Sequence, residues 1–142
     1  MTTLNNPITT RVKWVEKTTF LGTDSRGHGV MISSADDEPG VSAMQMLLLG
    51  LGACSMYDVV NILQKQRQPL GAVEVSVSGE RGEEYPRPWV RIHMQFSFTG
   101  TGLDNDKLER AIALSTEKYC GVHGTLVKSA EITHAFTVQP NP

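Results

Sequence analysis

Between Val41 and Tyr57 the chain is almost wholly apolar and carries no charged side chain, and Asp58 follows at once. Ser42 suits a helix N-cap, with Gln45 in the capping-box position. From Met44 to Leu63 apolar residues then cover nearly every side, Cys54 among them. The polar stretch Gln64 to Gln68 ends the helix, and Pro69 stops it. A helix apolar all round is buried all round or lies in lipid. A spanning helix needs about 20 mostly apolar residues. Here Gln45, Gly50, Gly52 and Ser55 break the run, so a buried core helix is expected and a membrane is not. Gly50 and Gly52 each cost a helix about 1 kcal/mol relative to Ala. They imply that something packs very close just before Cys54.

The flanking segments supply sheets. Val12 and Trp14 alternate with Arg11 and Lys13, the period of a half-buried strand. Thr18 to Leu21 continues in β-prone residues, Gly22 to Gly27 is a turn, Val30-Met31-Ile32 is a third short strand, and Ala35 to Gly40 is a polar loop. After the helix, Val73, Val75 and Val77 alternate with polar residues, as do Val90, Ile92, Met94, Phe96 and Phe98; Arg81 to Pro88 is the hairpin loop between them. Asp104 caps a second helix, with Leu103 and Leu108 placed for a hydrophobic staple. Its inner face is Leu108, Ala111, Ile112 and Ser115, and it is expected to run to about Tyr119. Gly121 to Gly124 interrupts it, Thr125 to Lys128 adds a further turn, and Ile132, Phe136 and Val138 mark a last strand. The order β-β-β-α-β-β-α-(α)-β describes one α+β domain over residues 1–142. One small sheet covers only one side of an all-apolar helix, so a second copy of the chain is expected to cover the other, as an obligate homodimer.

The composition restricts function. With 13 basic against 15 acidic residues, a net charge of −2 and no basic cluster, no nucleic-acid partner is expected. Met1 to Pro7 lacks the basic and apolar regions of a signal peptide, which implies the cytoplasm. In a reducing compartment two cysteines more often mean chemistry, metal or inert packing than a structural disulfide. Cys54 lies mid-helix in Gly50-Leu51-Gly52-Ala53-Cys54-Ser55, and Cys120 lies at the break of the second helix, three residues before His123. A possible helical turn starting at Gly121, together with His123, would favour a thiolate at Cys120. Asp58, one turn after Cys54, would oppose ionisation there, so a cation from elsewhere is needed; Arg26, in the glycine-flanked turn, is the candidate. Three other readings stay open at this point. Free cysteines often simply pack. Cys54, Cys120 and His123 can be drawn as zinc ligands, though a second short-spaced pair is missing. Cys120, His123 and Asp58 can be drawn as an acyl-transfer site. His28, His93 and His134 read as incidental.

Two stretches carry a resemblance: Ser42 to Cys54, a helix ending small-small-Cys, and Tyr119-Cys120-Gly121-Val122-His123, a second cysteine in a tight turn. Along nearly its whole length the chain resembles the OsmC/Ohr family of thiol-dependent peroxidases, and is nearer its less characterised OsmC-like branch. The resemblance implies two intertwined protomers whose sheets wrap the central helices. It implies that Cys54 attacks a hydroperoxide and becomes a sulfenic acid, that Cys120 resolves it as a disulfide, and that an external dithiol, lipoyl-like in the family, resets the pair. No bound cofactor is implied. Arg26 matches the family's activating arginine by position. The family's usual glutamate, nine or ten residues before the first cysteine, is replaced by Gln45 or Met44, and its usual proline after the second cysteine by Gly121. Gln45 and His123 are therefore the expected supporting residues. The competing expectations are a small-ligand-binding protein whose cavity the thiols line, and a structural stress protein with inert cysteines.

Overall fold

The computed structural model describes residues 7–142. The described residues form two compact units, which divide between Leu47 and Leu48. In the first, β1 (Arg11–Glu16), β2 (Thr19–Thr23) and β3 (Gly29–Ser33) form an antiparallel sheet in chain order. The turn between β2 and β3 is built by Asp24, whose Oδ1 accepts the backbone N–H groups of Arg26 at 2.8 Å and His28 at 2.9 Å. Gly27 completes it at φ +85°, a conformation that side chains disfavour. Those N–H bonds, His28's foremost, hold the Asp24 carboxyl below its ordinary range. At the other end of the sheet the hydroxyls of Thr18 and Thr19 donate to Glu38, while Thr19 and the buried Ser33 bond each other at 2.9 Å. β1 is exposed along its whole length.

The second unit is organised on α1 (Ala43–Lys65), most of which belongs to it. Ser42 precedes the helix as expected, but its Oγ is a long 3.5 Å from the Gln45 N–H it accepts. At the far end Arg67 turns to φ +57° and the Gln68 N–H reaches back to the Leu63 carbonyl at 3.0 Å, which closes the helix ahead of Pro69. Leu48, Leu51, Gly52, Ser55, Val59 and Leu63 are buried, at three- and four-residue spacing. By length and composition α1 is apolar enough to cross a membrane; its buried stripe is part of the protein core.

The sheet beneath it holds β4 (Ala72–Arg81), β5 (Trp89–Thr99) and β6 (Glu131–Gln139), with β5 in the centre. Ile92, Met94, Phe96 and Phe98 point inward from β5 and are buried, while Arg91, His93 and Gln95 take the polar face. β4 pairs antiparallel with β5, from Ala72 opposite Thr99, and β6 pairs parallel, from Arg91 opposite Glu131. A parallel neighbour demands a crossover, and residues 100–130 provide it. The crossover contains α2 (Asn105–Leu114), a π-helical turn (Ser115–Tyr119) and α3 (Gly121–Leu126). Asp104 caps α2 as expected, its Oδ1 accepting from Asp106 at 2.9 Å and Lys107 at 3.4 Å.

The structure departs from expectation at four elements: β1 is exposed instead of half-buried, α3 already begins at Gly121, where a break was expected, and α1 and α2 differ in detail. The single helix expected to Tyr119 is α-helical only to Leu114, because the Cys120 N–H bonds the Ser115 carbonyl at 2.8 Å and closes a wider turn. Of the two glycines, only Gly52 meets a neighbour: a Cβ there would be 3.1 Å from Val77 Cγ2 and 3.4 Å from Val75 Cγ1, both on β4. A Cβ on Gly50 would meet nothing within 4 Å. The close approach before Cys54 is therefore that of β4 to Gly52.

Candidate dithiol site

Close packing at Gly52 brings α1 down on the sheet, so Cys54, two residues on, is half-buried against the core. Cys120 comes from the crossover. The π-turn ends on it and α3 begins from it, and its side chain is buried. Folding brings the two thiols, remote in sequence, close enough that Cys54 raises the pKa of Cys120. Neither is in a disulfide.

Cys120 has the environment of a protonated thiol. Burial is the largest influence and raises its pKa. The His123 N–H, donating to its Sγ at 3.3 Å, and the Val122 N–H pull the other way, and the adjacent Cys54 adds to the rise. The outcome is a thiol pushed up to about 11. This corrects the expectation of a thiolate at Cys120. The short helix after it does donate N–H groups to the sulfur, but water is excluded. His123 also differs from expectation: burial, and then the neighbouring charge of His134, lower its imidazole pKa from 6.5, so it is not the cation that a thiolate would need. What His123 gives Cys120 is its backbone N–H. His134 itself is held by Glu109 of α2 at 3.3 Å.

Of the other expected residues, Arg26 and Gln45 lie in the first unit and Asp58 in the second. Arg26 is on the β2–β3 turn, with its guanidinium exposed and paired to Asp24 at 3.6 Å. Its carboxylate partner is thus Asp24, and Gln45, exposed in the first turn of α1, bonds Ser42 through its backbone N–H. Asp58 is turned to the crossover: its Oδ2 accepts the Ser115 hydroxyl at 2.8 Å. It is neither paired with His123 as an acyl-transfer site would require nor part of a metal centre. Among the described residues no group of three or more His, Cys, Asp or Glu is placed to hold a metal ion. The link from Ser115 to Ser55 and Asp58 is almost silent in the sequence. Its one signal was a polar residue, Ser115, at the end of the otherwise apolar inner face of α2.

A half-exposed thiol on a core helix, close to a buried and protonated thiol on a β-crossover, defines an α+β dithiol protein. The comparisons make that class specific: the model of the OsmC-like protein family matches residues 35–135, and the chain belongs to that family. Protein YhfA of Escherichia coli K12 is 44% identical over 128 residues, covering 90% of this chain and 96% of YhfA. The crystal structure of a hypothetical protein from Aquifex aeolicus aligns with a TM-score of 0.86 at 28% identity, over 97% of this chain and all 100% of that one. The structure of an organic hydroperoxide resistance protein OsmC from Legionella pneumophila aligns with a TM-score of 0.70 over 95% of this chain and 99% of its own. Its 11% identity makes that a likeness of fold.

Proposed function

We propose that the chain is a thiol-dependent peroxidase that reduces organic hydroperoxides through Cys54 and Cys120. The closeness of the two thiols carries this reading, and their unequal burial gives each a role. Cys54, the more accessible, attacks as the thiolate, the nucleophilic form of cysteine. Its sulfur takes the distal oxygen of the hydroperoxide, the O–O bond breaks, and the remainder leaves as the alcohol once protonated. Cys54 is then a sulfenic acid. Cys120 keeps its proton until this point. Its sulfur next displaces the hydroxyl from Cys54, water leaves, and the Cys54–Cys120 disulfide holds the two electrons lost. An external dithiol, lipoyl-type by the family resemblance, returns them by two exchange steps. Arg26 is assigned the activation of Cys54 on the resemblance alone. Dihydrolipoamide is the reductant of choice for the test, with cumene hydroperoxide as substrate. Turnover that disappears in Cys54→Ser supports the reading; wild-type rates in that variant overturn it.

The reading includes a homodimer and a reducing compartment, the cytoplasm. Leu49, 59% exposed, and Tyr57, 72% exposed, lie on the side of α1 that its own sheet leaves open. A resting dithiol is the form that a reducing compartment maintains.

A further inference from the structure

The elements that carry the two cysteines are joined a second time, by polar groups that the redox chemistry does not use. Ser115, the first residue of the π-turn, is completely buried, as is Ser55 on α1. The Ser115 Oγ is 2.8 Å from Asp58 Oδ2 and 3.1 Å from Ser55 Oγ. Ser55 directly follows Cys54, and Asp58 is one helical turn beyond it. The carbonyl of Ser115 in turn accepts the Cys120 N–H at 2.8 Å. One residue therefore grips α1 beside Cys54 with its side chain and holds Cys120 with its main chain. A π-turn closes on the fifth residue instead of the fourth, so this carbonyl bond also fixes the direction in which Cys120 leaves the turn. The hydroxyl–carboxylate bond is part-buried, and a carboxylate acceptor places it among the stronger hydrogen bonds.

We propose that Ser115 is a positioning residue for the dithiol: bonded to Asp58 and to the Cys120 N–H, it holds Cys120 against Cys54 and sets how readily the two sulfurs join. The proposal rests on the redox reading of the pair. Two thiols held in contact close a disulfide with a high effective concentration, and releasing one of them lowers it. The step is an exchange in which Cys54 and Cys120 lose two protons and two electrons while oxidised glutathione becomes two molecules of reduced glutathione.

The test equilibrates the full chain with reduced and oxidised glutathione under anaerobic conditions and quantifies the Cys54–Cys120 disulfide by alkylation and mass spectrometry. Ser115→Ala is expected to lower the equilibrium constant by about tenfold, the scale of one hydrogen bond to a charged group. Ser115→Thr, which keeps the hydroxyl, is expected to stay near wild type. Asp58→Ala breaks the same bond from α1 and is expected to match Ser115→Ala, with the double variant no lower than either single one. Should Ser115→Ala not fold, Asp58→Ala and Ser115→Thr decide the question by the same measurement. A wild-type constant in Ser115→Ala or in Asp58→Ala overturns the proposal, as does a constant in Ser115→Thr as low as that expected for Ser115→Ala. If the wild-type chain forms no Cys54–Cys120 disulfide at any glutathione ratio, the redox reading itself falls, a result distinct from unchanged constants among variants that do form it.

Discussion

At Cys120, N–H groups that favour a thiolate are outweighed by burial that opposes one, and stability should reveal the balance. An unfolded cysteine loses its proton near pH 8.5, whereas the folded Cys120 thiol keeps its proton to about 11. Between those values the native state binds more protons than the unfolded state, so stability falls as pH rises through this window. Urea unfolding of the reduced protein at pH 8 and pH 10.5 should show that loss, and Cys120→Ala should show less of it. Alkylation at pH 8 gives a second check: Cys54 should label well before the buried Cys120. A third concerns the resolving role. Cys120→Ser should consume hydroperoxide and stop after about one equivalent, with a sulfenic acid trapped at Cys54 by a dimedone-type probe. The two cysteines stand out as candidates in the sequence because each sits in a glycine-rich context at a helix feature. The protonation of Cys120 is not legible there. Neighbouring residues indicate the N–H donors, whereas exclusion of water depends on packing by distant segments.

Among the elements, α1 shows what periodicity conveys and what it leaves out. The apolar run identified the helix and its two ends, and the glycines signalled a close approach. Only Gly52 makes it, against Val75 and Val77. Gly52→Val should push α1 off β4 and destabilise the fold by about 1–3 kcal/mol, the usual cost of overpacking, measurable as a lower urea midpoint at unchanged slope. In α2, Leu108, Ala111, Ile112 and Ser115 repeat at helical spacing without a break. A π-turn adds one residue per turn and leaves no mark in such a pattern, so its presence was invisible until the Cys120 N–H was seen to bond the Ser115 carbonyl. The parallel pairing of β6 was equally hidden, because alternation fixes which face a strand buries but not the direction of its neighbour.

For the whole molecule, the side of α1 that remains uncovered is the basis for expecting a dimer, an argument already present in a helix with no hydrophilic side. Sedimentation of the wild-type chain should give twice the 15.6 kDa mass. Leu49→Glu, which puts a charge on an apolar side chain 59% exposed in the single chain, should shift it toward monomer. The parallel placement of β6 has a further consequence. The segment bearing Cys120 is spliced into the sheet only when Glu131–Gln139 pairs alongside β5, and β6 follows that segment along the chain. During synthesis, a nascent polypeptide therefore displays Cys54 before the segment bearing Cys120 has a seat, and the two thiols can meet only after this strand has left the ribosome.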